Sequence, residues 1–548
     1  MGKSSLARVA LAVASALVVG AALFAALGSK DAAPRADVTL VVGSFSERTG
    51  GALALASGGE DSRLEQQLPA APWSLSLDAR LEPGTRAALD LGGGEPLVLE
   101  EGPDGLTVSA GDVRKRFAGN GARHLEVAGA GALRLAVDGI AVTIPRAAGS
   151  ELVLEVKRGR LTVDNVVASP TADRGLLLLH RLAALHARVP TGAFPLGTGR
   201  DGEVRLTESW TTGFWPGALW HAADLTPKSD LFRDWALAAT EANLGDERAD
   251  THDLGFKYGR SSVAAHRRLC SPAAAPDPTL CARLRDSGLT AAGTLLNLIA
   301  TNRAAGTLPT GEEGCDDCAR GEADTIIDST VNLTLLAWAA RESGRDDFRG
   351  AAVRAARANA RLLLRPDGST AQSVHLRRSD GTVTKRHTHQ GESAGSTWAR
   401  GQAWAVYGFG ALAEELGDER LLAAAESAAA YVARELPPGG VPPYDYAASG
   451  QAPPDVSAGT ITAAGLLRLA AHCRRSGGCS ADPARYEELG RRLLRGSLSG
   501  ASASPPLGFL GDQVQTLGGR TSWDDDGELT FGLDHALEAL NRAERVPE

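Results

Sequence analysis

The stretch that decides the fold is THQGESAGSTWARGQAWAVYGFG, residues 388–410. It opens with polar residues and two glycines and then becomes apolar, which is the pattern of a loop that leads into a helix. The spacing of Trp404 and Phe409 predicts one core-facing side for that helix. Arg400 and Gln402 lie at the start of the helix. They are expected to point into a cavity, because an unpaired guanidinium in a dry core is very costly.

The composition of this stretch suits an acidic sugar. Aromatic rings can stack on the apolar face of a sugar, and an arginine can form two parallel hydrogen bonds to its carboxylate. The alternative is a buried, tryptophan-rich helix start that holds a structural ion pair. From this stretch alone, both interpretations stay open.

The whole chain has the balance of a globular protein. Its 548 residues are 43% hydrophobic and 22% charged, and the length fits two or three domains. The net charge of −9 argues against nucleic acid as a partner, because proteins that bind polyanions are usually basic. A small acidic sugar held by one or two local cations remains compatible with this charge.

The first 36 residues are expected to direct export. The apolar run Leu6–Leu27 is long enough to cross a bilayer, and basic residues precede it. It is either a cleaved signal peptide or a retained membrane anchor. The bulk of the chain is therefore predicted to be periplasmic, membrane-anchored or secreted.

The cysteines agree with an oxidising compartment. Six cysteines fall as near neighbours, which suits disulfides that clip loops, with free thiols as the alternative. A metal site built on the GCDDC segment is a weak rival, because there is no second C-x-x-C pair. The neighbours are Cys270 and Cys281, Cys315 and Cys318, and Cys473 and Cys479.

Two regions with different periodicity follow the N-terminal segment. Residues 37–168 contain alternating or β-branched runs separated by turn residues, which predicts a β-sandwich or jelly roll with an accessory role. Residues 169–548 are rich in alanine and leucine and contain about twelve candidate helices. These favour a closed toroid of six helical hairpins over an open solenoid, because no fixed repeat period is visible. The candidate helices are 172–188, 214–224, 229–243, 252–260, 279–304, 324–343, 346–364, 398–416, 418–435, 457–474, 482–497 and 528–543.

One helical junction is unusually aromatic. The segment ESWTTGFWPGALW, residues 208–220, holds four aromatic side chains and two glycines. Such a cluster either fills a core or lines a sugar platform. We expect Trp210 and Phe214 to form a platform and Trp220 to lie in the core.

Two further junctions carry candidate catalytic carboxylates. Asp253 lies in THDLGFKYGR and either caps a helix or acts in a site. Asp328 lies in DTIIDSTVN, where it is expected inside a helix with Asn332 on the same face and Asp324 as the cap. Burial raises the pKa of a carboxyl, which is how a fold makes a proton donor near neutral pH. A buried aspartate bonded to Asn332 is compatible with that role.

Histidines precede the opening stretch, but they do not predict a metal. His375, His387 and His389 fall in a glycine-containing hairpin, and their spacing fits no helical ligand pair. We therefore expect neither a metal nor another cofactor.

The THQG and STWARGQAW motifs resemble the signature of the unsaturated glucuronyl hydrolases, glycoside hydrolase family 88. The resemblance spans about residues 205–540 in five ordered motifs, the last being the PPYDYAASGQAPPD segment. It implies an (α/α)6 barrel. It departs from the family at FGLDH, where a sequence like Tyr-Gly-Asp-Tyr-Tyr is usual, at Val456, and in the cysteine-containing insertions. These departures put the preference for the aglycone in doubt more than the reaction.

The resemblance implies removal of a 4,5-unsaturated uronic acid from the non-reducing end of lyase-generated oligosaccharides. By position, Asp328 matches the acid–base residue and Asp253 the second essential aspartate. The substrate-binding positions it implies are Trp210, Phe214, His375, His389, Gln390, Arg400 and Trp404. A close alternative is an unsaturated rhamnogalacturonyl hydrolase, although that group typically has Asn where this chain has Gln402. A non-catalytic surface glycan-binding protein is the alternative from another class.

Overall fold

A computed structural model describes most of the second half of the chain and the strands of the first. The described residues are the strands between 41 and 170, helical residues 178, 179, 182, 185 and 186, and residues 188–198, 203–225, 231–271, 277–311, 315, 317–448, 453–499 and 528–544. The predicted N-terminal segment Leu6–Leu27 and most of the predicted helix 172–188 lie outside them. Among the described residues, no helix is both long and apolar enough to span a membrane. The chain divides into two compact units, of which the first holds residues 1–188 and the second nearly all of the remainder.

The first unit contains two antiparallel seven-stranded sheets, as expected for the small β-sandwich-like domain. One has the strand order β1-β4-β13-β6-β7-β8-β9 and the other β12-β11-β10-β5-β14-β3-β2. Strands that are distant in sequence lie side by side in both sheets, as β6 and β13 do. The strands are β1 Val41–Val42, β2 Glu47–Thr49, β3 Ala52–Ala56, β4 Ser62–Gln67, β5 Trp73–Leu81, β6 Arg86–Asp90, β7 Leu97–Gly102, β8 Gly105–Ala110, β9 Val113–Ala118, β10 Ala122–Gly129, β11 Leu133–Val137, β12 Ile140–Ile144, β13 Glu151–Arg158 and β14 Arg160–Pro170. The predicted boundary between residues 168 and 169 stays a prediction.

The described residues of the second unit are mainly helical, with six short strands at the helix junctions. Two three-stranded sheets join β16-β15-β20 and β17-β18-β19. The strands are β15 Phe194–Thr198, β16 Val204–Thr207, β17 Glu322–Ile326, β18 Ser373–Arg377, β19 Val383–His387 and β20 Glu528–Leu529. The helices are α1 Phe214–Leu225, α2 Leu231–Ala242, α3 Leu254–Arg260, α4 Ser262–Leu269, α5 Pro278–Thr301, α6 Ser329–Asn332, α7 Thr334–Ser343, α8 Asp346–Leu363, α9 Ala399–Leu416, α10 Glu419–Glu435, α11 Val456–Ser476, α12 Pro483–Ser499 and α13 Thr530–Glu544.

The inner helices form a closed ring, which confirms the predicted (α/α)6 barrel. Going round, α1 packs on α3, α3 on α6, α6 on α9, α9 on α11, α11 on α13, and α13 on α1 again. All six of these helices line a cavity of about 190 Å³ in the bore of the ring. Nearly every residue of α9 is buried, as a helix that is apolar all round requires. Outer helices such as α8 bury only one alanine-rich face.

The starts of the inner helices converge at one end of the ring. Phe214 at the start of α1 lies 5.2 Å from Phe256 in α3 and 5.9 Å from Phe531 in α13, measured between ring centroids. Trp404 in the second turn of α9 lies 5.0 Å from Phe256. The loops that precede these helices therefore meet at the same end, and the candidate residues of the sequence analysis lie there.

Two of the predicted helices differ from the structure. The helix predicted over 324–343 begins only at Ser329, because residues 322–326 form β17. Asp324 is therefore not a helix cap, and Asp328 stands directly before a helix and not inside one. The helix predicted over 252–260 begins at Leu254, and a second helix, α4, follows it after Ser261.

Candidate active site

Asp253 and Asp328 occupy equivalent places in the ring, each directly before an inner helix. Neither carboxylate caps its helix by a side-chain hydrogen bond. The two helices are held together by Asn332, whose Oδ1 accepts a 2.7 Å hydrogen bond from the backbone N–H of Phe256. Gly255 allows this approach, since a Cβ there would lie 2.3 Å from the Asn332 backbone. The contact therefore brings the two aspartates to the same place.

Asp328 is a buried carboxyl in a low-dielectric setting. Its side-chain Oδ1 forms no hydrogen bond with any described residue, and Asn332 bonds to its backbone carbonyl instead of its carboxylate. Burial is the main cause that raises the pKa of Asp328 to about 6, and the negative charge of Asp253 adds to the effect. His252 and Arg400 act in the opposite direction without cancelling it. Such a carboxyl is partly protonated near neutral pH and is suited to general acid–base chemistry.

His252 lies against Asp253. Its Nδ1 is 3.2 Å from the Thr310 carbonyl oxygen and donates a hydrogen bond to it. Nε2 is 3.3 Å from Asp253 Oδ1 but has no hydrogen-bond partner among the described residues. Asp253 also accepts a 3.1 Å hydrogen bond from the Thr251 hydroxyl. Buried polar atoms are normally paired, so the open atoms of His252 and Asp328 mark a place for a polar ligand or water.

Arg400 is not an exposed clamp in this structure. It is 3% exposed, and its Nη1 donates to Asp455 at 2.9 Å and to Ser457 at 3.1 Å. The guanidinium lies between the rings of Trp398 and Phe531, 4.6 and 5.1 Å from their centroids. Burial lowers the pKa of Arg400, although Asp455 and Asp328 oppose that shift. The structural ion pair considered as an alternative is therefore present, and Arg400 also contributes positive charge near Asp328.

The aromatic residues divide differently from the prediction. Phe214 and Trp404 are fully buried in the ring, so the prediction of Phe214 as an exposed platform is wrong in this conformation. Phe214 packs against Phe256 and Phe531, and Trp404 packs against Phe214, Phe256 and His535. Trp404 Nε1 nevertheless has no hydrogen-bond partner among the described residues. Trp220 is in the core, as expected.

Trp210 retains the exposure that a sugar platform needs. It is half-buried and stacks on Phe531, with ring centroids 5.6 Å apart and an interplanar angle of 24°. Its other ring neighbours are Phe214 and Phe256. The free face of Trp210 therefore lies at the edge of the buried aromatic cluster.

The THQG segment is held by a buried glutamine that the sequence analysis did not identify. The Oε1 atom of Gln372 accepts hydrogen bonds from the Thr388 hydroxyl and from the backbone N–H groups of His389 and Gln390, at 2.5, 2.8 and 3.0 Å. Gln372 also donates to the side-chain oxygen of Gln390. These bonds fix the positions of His389 and Gln390, which are both half-buried. Gln402 is likewise structural and points into no cavity, since its Nε2 donates to two backbone carbonyls of neighbouring elements.

His389 is joined to the site through Asp324. Its Nε2 is 2.9 Å from Asp324 Oδ2, and burial alone would lower the pKa of His389. The hydrogen bond to Asp324 and the nearby charge of Asp328 outweigh burial, and the pKa of His389 is raised. Hydrogen bonds from His387, His389 and Ser373 hold the pKa of Asp324 below its ordinary value, against the effect of burial. Asp324 is thus an ionised carboxylate, in contrast to Asp328.

His375 lies deeper than a contact residue would. It is 1% exposed, and its Nε2 is 3.2 Å from Asp317 Oδ1. Burial lowers the pKa of His375. The structure brings Asp253, Asp328, His389, Gln390 and Arg400 to one end of the ring, while His375 lies on the β17–β18–β19 sheet beside it.

Three residues at this end were missed by sequence reasoning. His252 directly precedes the candidate carboxylate Asp253 in the chain, and this position could have identified it. Gln372 and Asp455 act through hydrogen bonds to residues that are 18 and 55 positions away, and no local pattern shows such bonds.

The comparisons with known proteins agree with this arrangement. The chain matches no family model. It is 32% identical over 358 residues to an unsaturated glucuronyl hydrolase of Bacillus sp. (strain GL1), covering 61% of this chain and 86% of that protein. It is 28% identical to an unsaturated chondroitin disaccharide hydrolase of Streptococcus pyogenes serotype M1, covering 57% of this chain and 76% of the relative.

A solved structure is similar along the same region. The crystal structure of the unsaturated glucuronyl hydrolase from Bacillus sp. GL1 matches with a TM-score of 0.59 and 28% identity, and the match covers 67% of this chain and 95% of that one. The sequence relationship, the closed ring of six inner helices and the paired aspartates before two of them lead to one conclusion: the chain belongs to the unsaturated glucuronyl hydrolase family.

Proposed function

We propose that this hydrolase removes a 4,5-unsaturated uronic acid from the non-reducing end of oligosaccharides produced by polysaccharide lyases. The similarity to glucuronyl and chondroitin disaccharide hydrolases supports this substrate class. The observation that carries the proposal is the buried carboxyl of Asp328, whose pKa is raised to about 6 beside Asp253 and His252. A proton donor of this kind is what addition of water to the sugar's double bond requires.

In the proposed reaction, water adds across the C4=C5 enol ether. Protonated Asp328 gives its proton to C4, the oxygen of water bonds to C5, and a proton from that water returns to Asp328. The hemiketal formed at C5 opens to a ketone, and the hemiacetal left at C1 expels the aglycone as an alcohol. No carboxylate attacks the anomeric carbon, so the separation of the two carboxylates does not set the stereochemistry as it does in ordinary glycosidases.

The neighbouring residues have binding roles in this proposal. Asp253 accepts hydrogen bonds from sugar hydroxyls, and its charge helps to keep Asp328 protonated. His252 Nε2 forms a hydrogen bond with a sugar hydroxyl or with the attacking water, because it has no hydrogen-bond partner among the described residues and lies beside Asp253. His389, whose pKa is raised by its hydrogen bond to Asp324, is the group on the THQG segment that binds the uronic carboxylate in this proposal. Trp210 supplies the stacking face.

The test is to incubate the enzyme with unsaturated oligomers made by lyases from chondroitin, hyaluronan, alginate, gellan and ulvan. Hydration destroys the conjugated double bond, so its near-ultraviolet absorbance should fall with at least one of them. Persistence of the absorbance with every oligomer would refute the proposal. Asp328→Asn serves as the matched control, because a fall in absorbance that also occurs with this variant does not come from the proposed site.

The two alternative functions have less support. The curated relatives described above are named for glucuronyl and chondroitin substrates, which favours those over rhamnogalacturonyl substrates. Activity confined to unsaturated rhamnogalacturonan fragments would reverse that order. A surface glycan-binding role is disfavoured by the presence of both aspartates.

We also propose that the enzyme acts outside the cytoplasm. The apolar run Leu6–Leu27 and three disulfides support export: Cys270–Cys281, Cys315–Cys318 and Cys473–Cys479. Cell fractionation followed by sequencing of the mature N-terminus distinguishes a cleaved signal peptide from a retained anchor. Recovery of the whole chain from the cytoplasm with free thiols would contradict the proposal.

A further inference from the structure

Three histidines form an edge-to-face stack beside the candidate active site. The ring centroids of His375 and His387 are 4.3 Å apart, and those of His387 and His389 are 4.6 Å apart. The strands β18 and β19 and the THQG segment carry them, next to Asp324 of β17. The proposed reaction uses only His389 of these, so the arrangement of the others asks for another explanation.

Two of the imidazoles point the same ring nitrogen at one carboxylate. His387 Nε2 is 3.3 Å from Asp324 Oδ1, and His389 Nε2 is 2.9 Å from Asp324 Oδ2. The three ligand atoms lie within 4.8 Å of one another. Residues two apart in an extended chain face the same side, which is why the i, i+2 spacing that excluded a helical site works here.

We propose that Asp324, His387 and His389 bind a divalent transition metal ion such as Zn²⁺, and that the bound metal inhibits the enzyme by occupying His389. Zinc–nitrogen and zinc–oxygen bonds of about 2.0–2.2 Å in tetrahedral geometry place neighbouring ligand atoms about 3.3 Å apart. The two nitrogen–oxygen separations, 3.3 and 2.9 Å, are of this size and end on different oxygens of Asp324, so both oxygens face the proposed ion. The ion would replace the protons that now lie between each imidazole and the carboxylate.

The chemistry of the ligands selects the class of ion. Two imidazoles and one carboxylate suit zinc, copper or nickel, whereas magnesium and calcium prefer sites made only of oxygen. Cys315 and Cys318 lie near His375, but they are joined in a disulfide and offer no thiolate. Three protein ligands leave a fourth position open for water or substrate.

The carboxylate already has the support that metal ligands need. Asp324 is 1% exposed, and the Ser373 hydroxyl donates a hydrogen bond to its Oδ1. Such hydrogen bonds to a ligating carboxylate fix its orientation. The strand pairing of β17 with β18 places Ser373 and Asp324 on adjacent strands, so the fold itself builds this support.

Inhibition rests on the proposed function, whereas metal binding does not. His389 is the cationic group that we assign to the uronic carboxylate, and a metal ion on its Nε2 replaces the proton that makes the imidazole cationic. Zinc should therefore raise KM for the unsaturated oligosaccharide more than it lowers kcat. Removal of the metal with a chelator should restore activity.

The test begins with the full chain, with its disulfides intact and metal removed by dialysis against a chelator. Isothermal titration with Zn²⁺ should give one equivalent bound per chain. Cu²⁺ loaded at the same stoichiometry should show nitrogen hyperfine coupling from two imidazoles in its electron paramagnetic resonance spectrum. Both readouts are made on the wild-type protein without substrate, so they stand even if the proposed reaction is refuted.

The variant His387→Gln separates the metal site from the reaction. Changes to groups that only support a ligand already cost about 10–100-fold in metal affinity, so loss of a ligand should weaken Zn²⁺ binding at least about 100-fold. The variant should keep the wild-type rate without metal and resist inhibition. His472→Gln in α11, a histidine outside this cluster, is the matched control and should bind and respond like the wild type.

Three results would overturn the proposal. Absence of stoichiometric Zn²⁺ binding, or a copper spectrum without imidazole nitrogens, removes the site. Unchanged Zn²⁺ affinity in His387→Gln places any bound metal elsewhere. Zinc that binds at these residues but leaves KM and kcat untouched refutes the inhibitory role.

Discussion

The burial of Asp328 has a consequence for stability as well as for chemistry. Its pKa is raised from an ordinary 3.8 to about 6, so the folded state binds this proton more tightly than the unfolded state does. Unfolding therefore releases the proton between these two pH values, and the fold loses stability as the pH rises through them. The carboxyl that serves the proposed reaction therefore lowers the stability of the folded state above this pH range.

Asp328→Asn should accordingly stabilise the protein at pH 8. A shift of about two pKa units corresponds to about 3 kcal/mol, and the variant cannot ionise at this position. The difference in melting temperature between variant and wild type should be small below about pH 4, grow between pH 4 and 6, and then level off. Melting curves across this range provide the measurement, with Asp277→Asn at an exposed helix start as the control. A difference that does not depend on pH would contradict a buried, protonated Asp328.

The same variant should lose the reaction. General acid–base catalysis contributes about 10²–10⁴-fold, so the rate of Asp328→Asn should fall by at least that while substrate still binds. In the wild type, kcat/KM should fall as the pH rises through about 6, because this ratio reports the pKa of the free enzyme and only protonated Asp328 can donate to C4. Asp253→Asn should lose affinity as well as rate, since its proposed role is to hold hydroxyls. If Asp328→Asn keeps more than about a tenth of the activity, the acid is another group, and Asp324 is the next to test.

At the level of single residues, the sequence predicted which residues belong to the site better than it predicted how far each side chain is exposed. The motifs gave both aspartates, and the structure places them together. The full burial of Phe214 depends on Phe256 and Phe531, which come from two other inner helices, so the segment 208–220 alone could not reveal it. Arg400 was expected in a cavity because the local sequence shows no partner for its guanidinium. Its partner, Asp455, is 55 residues away.

At the level of elements, the start of α11 combines a cap with a buried ion pair. Asp455 accepts hydrogen bonds from the backbone N–H groups of Ser457 and Ala458, at 3.0 and 3.3 Å, and also pairs with Arg400 at 2.9 Å. Its side chain is completely buried. One residue thus starts an inner helix and balances the charge of the arginine on the neighbouring inner helix.

Asp455→Ala should be far more destabilising than loss of a cap alone. Breaking a buried pair leaves an uncompensated charge and costs about 3–5 kcal/mol, while a cap by itself is worth about 0.5–2 kcal/mol. Asp277→Ala is the matched control, because Asp277 caps α5 through the same two kinds of backbone bond at an exposed position. Thermal and denaturant unfolding measure both. Equal losses in the two variants would show that the Arg400–Asp455 pair adds nothing to stability.

The sequence predicted most of the helices. The main error, the start of the helix predicted over 324–343, has a local cause. Residues 324–327 continue an apolar pattern that leads into a helix, but Thr325, Ile326 and Ile327 are β-branched and favour a strand. Thr325 and Ile326 pair with β18 as part of β17, at Val374 and Ser373, and the backbone N–H of Ile327 donates to the Gln372 carbonyl. This strand is what moves Asp328 from the interior of a helix to the position just before one.

For the whole molecule, closure of the ring concentrates the chemistry at one end. The inner helices α1, α3, α6, α9, α11 and α13 bring their starts together, and the positive ends of helix dipoles favour an anionic ligand there. This accounts for an acidic sugar substrate on a chain whose net charge is −9. The paired helices and the absence of a repeat period were enough to predict a closed toroid. The order of packing around the ring could not be predicted, because it depends on long-range contacts.

In the proposed mechanism, Asp328 drives addition of water to a double bond, and not attack at the anomeric carbon. The most direct test of this mechanism is nuclear magnetic resonance of the products formed in D₂O from an unsaturated disaccharide, read at early times. We expect C4 of the released uronic acid to carry deuterium delivered to one face, at the rate at which the conjugated absorbance disappears, and we expect Asp328→Asn to abolish both signals. Release of the aglycone together with a uronic acid whose C4=C5 double bond is still intact, and whose C4 has gained no deuterium, would contradict this mechanism.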